Sequence, residues 1–316
     1  MIQTHIMELS RIRHYLRNPL EFMGTRVYAH PGLFSDRMYL RLRYMAAFGR
    51  RLDLRNPQTF NEKLQWLKLY NRKPEYTAMV DKLEAKKYVA GIIGEEYIIP
   101  TIGVWNNPEE IDFDSLPEQF VLKCTHNSGH GLCICKSKKD LDIPAVKKSL
   151  AEALAEDYFL KGREWPYKNV PHRIIAEQYL SDDSPQNRGS LSDYKFTCFD
   201  GQADNVMVCI DRDKGDTKFY FFDRDWKLLR LNKRGLEAPE GFTLEKPEAM
   251  DRMFDIAARL SEGIPFVRVD LYYVNGRIYF GELTFFPESG LDRNLLPETE
   301  RLFGSRIVLP PKTIQI

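Results

Sequence analysis

Residues 265–290, PFVRVDLYYVNGRIYFGELTFFPESG, decide how this chain is read. Two alternating runs flank Asn275-Gly276, the strongest short-range signal of a β-hairpin. Turn geometry then sets where the charged side chains point. A plain two-residue loop pairs Val274 with Arg277 and puts Asp270 and Glu282 on opposite faces of the ribbon. A three-residue loop, with Gly276 left-handed in a G1 bulge, pairs Tyr273 with Arg277 instead. Arg268, Asp270, Glu282 and Thr284 then share one face, while Val267, Val269, Leu271, Leu283 and Phe285 share the other. The second register separates polar from apolar, and a one-residue slip would destroy that separation. The sequence therefore predicts the bulged turn.

Two carboxylates and a hydroxyl beside a guanidinium form an all-oxygen donor set for a hard cation. Mg²⁺ takes one or two carboxylates plus substrate phosphates more readily than a full protein cage. The ordinary reading of such a strand pair is a solvated outer face. A solvated face usually mixes Lys with Glu, whereas this one carries Arg, Asp, Glu and Thr backed by continuous core residues, which favours the metal reading.

Outward from the hairpin, the chain reads as α+β. Residues 1–75 are helical, with Met38 to Arg51 the clearest segment and NEKLQWLKLY (61–70) a second, closed by Pro74. TAMVDKLEAKKYVA (77–90) predicts one helix with Thr77 as its cap. A short strand follows in EYIIPTIGVW, then strand, Gly-rich loop and strand in QFVLKCTHNSGHGLCICK (119–136). A helix is expected from Pro144 to about Phe159, and an apolar strand in RIIAEQYL (173–180). DYKFTCFDG, ADNVMVCI, TKFYFFD and WKLLRL suggest an antiparallel meander. A helix over 246–263 leads into the hairpin. This divides the chain into a basic helical segment (1–75), a first part with the glycine loop (76–185) and a C-terminal part with the hairpin (186–316).

Composition sets limits on function. With 316 residues, 43% hydrophobic and 29% charged, the chain has the makeup of a soluble globular protein. No apolar run reaches membrane-span length and no signal-peptide pattern opens the chain, so a cytoplasmic protein is expected. Five cysteines without metal-type spacing fit a reducing compartment. Net charge is +1, yet residues 1–56 hold ten Arg, no Lys and four acids. An Arg-only preference suits bidentate contact with phosphate or carboxylate. A peripheral contact at the inner face of the membrane and a plain basic helical surface both remain open. No nucleic-acid-binding motif accompanies the charge.

Lys123 ends a strand and precedes Thr125-His126-Asn127-Ser128-Gly129-His130-Gly131. Backbone N–H groups of such a loop, around Ser128 and Gly129, can lie along phosphates, and His126 or His130 can donate to them. The loop is not a Walker A motif, because it lacks Gly-Lys-Ser/Thr and leads into a strand. It reads as a flap between antiparallel strands. Ordinary turn chemistry would use the same residues.

The order of these pieces resembles the ATP-grasp superfamily: Asp81-Lys82, Lys123 before a glycine loop, Glu177 to Leu180, then Arg268-x-Asp270 and Glu282-x-Thr284. The likeness covers about residues 76–290. The KLQWLK segment, DYKF and GELTFFPESG resemble the TupA-like branch, tied to teichuronopeptide and other surface-polysaccharide synthesis. That resemblance implies ATP and Mg²⁺ as cofactors. It implies that Lys82 and Lys123 hold phosphates, that Glu177 and the Leu180 backbone meet adenine, and that Asp183 (or Asp182) takes the ribose. Asp270 and Glu282 match the Mg²⁺ ligands, Arg268 matches an arginine that contacts the reacting acyl phosphate, and Lys195 of DYKF falls on the substrate side. Thr284 stands where the superfamily usually has Asn, and the Arg-rich helical preamble replaces the usual α/β pre-domain.

The reaction implied is amide formation between a carboxylate, such as a uronic acid of a polysaccharide precursor, and a small-molecule amine. The site inventory of Lys, Arg, Asp and Glu without a nucleophilic Ser or Cys suits phosphoryl transfer, which needs positioning and electrostatics. Two other readings remain. A glycosyltransferase would use Asp211-Arg212-Asp213 or Asp223-Arg224-Asp225 to hold a metal–sugar-nucleotide complex. A catalytically silent module would bind ATP or glycan only.

Overall fold

The computed structural model describes residues 18–182, 193–210 and 217–313. Two antiparallel sheets organise it. The smaller has strand order β1 (Thr101–Trp105), β4 (Ile174–Gln178), β2 (Phe120–Cys124) and β3 (Cys133–Cys135). The larger runs β10 (Arg277–Thr284), β9 (Val267–Val274), β5 (Asp193–Phe199), β6 (Gln202–Ile210), β7 (Lys218–Phe222) and β8 (Leu228–Leu229). The aromatic-rich stretch after residue 193 is thus the antiparallel meander its alternation predicts, docked on β9.

Helices cover the sheets as their apolar faces require. α1 (Pro19–Ala29), α2 (Asp36–Phe48) and α3 (Phe60–Tyr70) come first. Ser35 caps α2, and Thr59 with Glu62 forms a capping box on α3. α4 (Glu75–Val80), α5 (Glu84–Ile93), α6 (Ile143–Leu154), α7 (Tyr158–Gly162), α8 (Lys233–Glu237), α9 (Met250–Leu260) and α10 (Pro297–Arg306) follow. α9 packs Met253, Phe254 and Ala257 against the inner face of the large sheet, beside Phe196 and Val269. That core also takes in Val27, Tyr44 and Leu64 from the N-terminal helices and Ile307 near the C-terminus. A second, smaller core forms under the small sheet from Phe120, Leu122, Cys124, Cys135, Leu150 and Ile174. Among the described residues, no helix is long and apolar enough to cross a membrane.

Three local expectations need correction. The helix expected over 77–90 is broken: Asp81 leaves helical geometry at φ −65°, ψ 115°. Its carboxylate accepts the Leu83 N–H at 2.9 Å and pairs with Arg173 at 2.7 Å, while the Lys82 N–H donates to the Thr125 carbonyl at 3.2 Å. Tertiary partners thus replace helix hydrogen bonds, and Thr77 lies inside α4 rather than capping it. The helix expected to reach Phe159 ends at Leu154, and α7 restarts after a short break.

The hairpin is corrected most instructively. Arg277 pairs with Val274, so the turn is the plain two-residue one, with Asn275 at φ 49° and Gly276 at φ 76°. The extra residue sits further along, at Gly281: Phe280 pairs with Leu271, and Glu282 with Asp270. A Cβ at Gly281 would come within 2.9 Å of the Asp270 carbonyl oxygen, which explains why glycine occupies the bulge. The predicted faces survive because a bulge at either place shifts the parity by one.

NEKLQWLKLY departs from a simple amphipathic helix. Asn61, Gln65 and Lys68 form a buried polar stripe on α3. The Asn61 amide donates to the Asp292 carbonyl at 2.9 Å, Gln65 to those of Ser289 and Gly290 at 3.0 and 2.6 Å, and Lys68 to that of Ser289 at 2.7 Å. They hold a segment in which Glu288, Ser289 and Gly290 are successively left-handed, at φ 49°, 52° and 62°.

Candidate active site

A cleft of about 320 Å³ opens between the two sheets, floored by β9 and β10 and roofed by β2, β4 and the α4–α5 break. Its size falls in the range of about 300–1,000 Å³ usual for small-molecule sites. The bulge at Gly281 sets Asp270 and Glu282 directly opposite each other on its floor. Asp270 is 2% exposed, and its carboxylate is gripped by Arg268, with Nε and Nη2 at 2.6 and 2.7 Å, and by the Lys195 ammonium. Burial alone would raise the pKa of Asp270; Arg268 and Lys195 bring it below the ordinary carboxylate value. Lys195 also pairs with Asp193 at 2.6 Å. Its pKa is raised: burial would lower it, but Asp270 and Asp193 together more than offset that. Arg268 reaches Glu282 at 3.4 Å and the Thr284 hydroxyl at 3.1 Å, and Thr284 donates to Glu282 at 3.2 Å. All four residues of the predicted polar face therefore form one hydrogen-bonded cluster.

The opposite wall is cationic. Glu177 on β4 is buried between Lys86, at 2.7 Å, and Lys123. Burial opposes its ionisation, yet the two ammonium groups take its pKa below the usual value. Lys82 projects from the α4–α5 break and donates to the Asn127 carbonyl of the glycine loop. Burial, only partly offset by Glu282 and reinforced by Lys123, lowers its pKa to about 8.

The sequence-predicted residues divide as follows. Lys82, Lys123, Ser128, Glu177, Lys195, Asp270 and Glu282 line the cleft together. Arg268 and Thr284 join from the floor through Glu282. Leu180 is buried just beyond β4 without lining the cleft, and Gly129 is a left-handed loop residue at φ 79° with open space around it. His126 is turned away: its buried ring stacks on His172 at 3.7 Å, and its Nε2 lies 3.2 Å from the Glu156 carbonyl. Burial, with His172 adjacent, lowers its pKa to about 4, so it is a neutral packing residue. His130 sits at the loop surface, 3.1 Å from Glu156. Asp183 lies outside the described residues, and its alternative Asp182 is buried. Asp211-Arg212-Asp213 is also outside them. Asp223-Arg224-Asp225 is a surface turn between β7 and β8, where Asp223 accepts the Lys227 N–H at 2.8 Å and Arg224 pairs with Asp255 at 2.6 Å.

Lys86, Asp193 and Tyr272 were not singled out from the sequence, yet all line the cleft. Lys86 had a signal: four residues after Lys82, it continues the same side of a helix. Asp193 opens the DYKF motif, in which only Lys195 was given a role, and lies one alternation from it.

Among the described residues, no group of three or more His, Cys, Asp or Glu is placed to hold a metal by itself. Two carboxylates and a hydroxyl fit a hard cation that completes its shell with substrate phosphates. Arg268 and Lys195 already place two positive charges on Asp270, the charge that a divalent ion would bring.

The family model described as "TupA-like ATPgrasp" matches residues 62–308. The chain belongs to that family. Its fold is accordingly ATP-grasp, and the match begins inside α3, so Gln65 and Lys68 of the buried polar stripe fall within it and Asn61 just precedes it. No curated protein matches the chain significantly. Solved structures similar to it include D-alanine–D-alanine ligase from Helicobacter pylori, at 12% identity and a TM-score of 0.44, covering 80% of this chain and 70% of that one. The D-alanine–D-alanine ligase from Bacillus anthracis complexed with ATP shows 16% identity and a TM-score of 0.42, with 72% and 63% covered. The ATP-grasp ligase PsnB complexed with a minimal precursor shows 13% identity and a TM-score of 0.39, with 68% and 55% covered.

Proposed function

We propose that this TupA-like protein is an ATP-dependent carboxylate–amine ligase. ATP would activate a carboxylate by phosphorylation, an amine would displace the phosphate, and the products would be an amide, ADP and phosphate. The acid is a uronic acid of a surface-polysaccharide precursor or an amino acid, and the amine is a small molecule. The observation that carries this reading is the Asp270–Glu282 pair at the floor of a cleft ringed by Lys82, Lys123, Lys195 and Arg268.

Each residue has a role set by its chemistry. Asp270, Glu282 and Thr284 would hold Mg²⁺, which would neutralise phosphate charge. Lys82 and Lys123 reach into the same cleft as point charges for the phosphates. Arg268, tied to both floor carboxylates, would meet the charge that develops during phosphoryl transfer, a placement that lowers such a barrier. Met79, Val80, Ile99 and Phe280 add an apolar wall suited to a purine face.

The test is ADP release over a panel of uronates and amino acids against small amines, with Mg-ATP supplied. The expected result is amine-dependent ADP release that disappears in Asp270→Asn and Glu282→Gln. Release of UDP from sugar nucleotides without ADP would overturn the assignment.

A further inference from the structure

On the side of α3 away from the buried stripe lies a second concavity, of about 850 Å³, walled by α2, the 54–58 turn, α3 and the 307–312 tail. Arg37, Arg41, Arg55, Lys63 and Lys312 line it. Two neighbouring arginines are paired with acids, Arg50 with Glu62 and Arg72 with Asp36. These five make no ion pair with a carboxylate among the described residues. Arg37 donates to the Tyr70 hydroxyl at 2.9 Å and Lys63 to the Ile307 carbonyl at 2.7 Å. Asp53 is the acid beside Arg55, and its carboxylate accepts the Arg55 and Asn56 N–H groups.

From this we infer that the groove binds an acidic glycan chain, one bearing carboxylates along a hydroxyl-rich backbone. The inference rests on the proposed function, whose acceptor side it makes specific. Three observations select the ligand. First, five uncompensated cations in one concavity need a polyanion, and guanidinium forks match carboxylates in pairs of hydrogen bonds. Second, a bilayer meets a flat or convex basic face, whereas Lys63 here is only partly exposed between α3 and the tail, within reach of a thin chain. Third, single-stranded nucleic acid needs open aromatic faces for its bases. Trp66 is only 6% exposed, and Lys312 and Arg37 lie over the Tyr70 ring at 4.3 and 5.9 Å. Gln58 Nε2 is held by Asn56 Oδ1 at 2.6 Å, which leaves Asn56 Nδ2 and Gln58 Oε1 to meet sugar hydroxyls.

The test uses the full chain and fluorescently labelled polygalacturonate oligomers in an anisotropy titration, with neutral dextran, phosphatidylglycerol vesicles and single-stranded DNA as comparison arms. Wild type should bind polygalacturonate, weaken with added salt, and ignore dextran. The triple variant Arg37→Ala/Arg41→Ala/Arg55→Ala should bind about tenfold more weakly, and Lys312→Ala about twofold, as expected for exposed charge contacts. The thermal shift with Mg-ATP should stay unchanged in both, which also shows that they fold. Undiminished binding by the variants, equal binding of dextran, or preferred binding of vesicles or DNA would overturn the inference. Absence of polygalacturonate binding alongside amine-dependent ADP release sinks the groove alone. Groove binding without ADP release sinks the ligase reading alone.

Discussion

Two antiparallel hairpins face each other across the cleft, and they are built on opposite terms. The floor hairpin, β9–β10, is eight residues per strand, is buried on its apolar face, and ties its polar groups into one cluster. The flap hairpin, β2–β3, pairs over three positions and carries a glycine loop. Leu132 and Ile134 are half exposed there, and buried His126 Nδ1 and Asn127 Nδ2 lack hydrogen-bond partners. The floor ties both carboxylates into one hydrogen-bonded cluster; the flap is anchored at its base, where His126 stacks on His172 and Lys82 donates to the Asn127 carbonyl, and is open only at its tip, around Ser128, Gly129 and His130. The proposed ligase, which would grip a polyphosphate and then release product, calls for both a fixed charge template and a loop tip that can open.

The sharpest way to break this contrast is at the template. Asp270→Asn or Glu282→Gln should lower kcat for ADP release by about 10²–10³-fold, the scale seen on removing a preorganised electrostatic group. Steady-state kinetics on folded variants checks it, and loss of less than tenfold would mean that the floor is not the template. Lys82, which donates to the flap and faces the charge of Glu282 on the floor, comes next. Lys82→Ala should weaken Mg-ATP binding by about ten- to a hundredfold, the worth of a charge-assisted hydrogen bond. With its pKa lowered to about 8 chiefly by burial, Lys82 is charged below that pH, so wild-type affinity should fall as pH rises through about 8. Lys82→Arg should abolish that fall in isothermal titration. In the ligand-free protein the sign reverses: the cost of burying the charge is fully present below about pH 8 and is relieved as pH rises toward the unfolded value. Lys82→Met should therefore raise the melting temperature at pH 7.

Two glycines sharpen the comparison at smaller scale. Gly281→Ala would push a Cβ to 2.9 Å from the Asp270 carbonyl, so the floor should lose about 1–3 kcal/mol in denaturant unfolding. Gly129→Ala meets nothing within 4 Å, and only its φ of 79° resists a side chain. The flap variant should lose about 1 kcal/mol, the low end of the cost of a left-handed L residue. Equal losses at the two positions would erase the distinction between rigid floor and open flap.

The floor was legible in sequence because alternation is local and one face must be buried. That pattern fixes parity but not where the extra residue sits, so the bulge was placed at the turn when close backbone approach puts it at Gly281. The break at Asp81 was not legible: TAMVDKLEAKKYVA keeps helical periodicity throughout, and the residues that interrupt it, Thr125 and Arg173, lie far along the chain. The same distance hid the partnership of Lys86 with Glu177. His126 read as a loop donor because its neighbours are polar; its burial against His172 depends on the return of the chain after α7. The buried stripe of α3 was missed because polar residues at helical spacing ordinarily mark the wet face.

That stripe has a practical consequence for anyone trimming this protein. Three successive residues after β10 sit in a conformation that costs an L side chain roughly 1–2 kcal/mol each outside glycine, and the carbonyls of the last two, Ser289 and Gly290, are held from α3. A fragment starting at residue 76 keeps every cleft-lining lysine and carboxylate, yet removes those clasps. Such a truncation should be purified as an inactive or unstable species, whereas supplying residues 18–75 as a separate peptide should restore it by complementation.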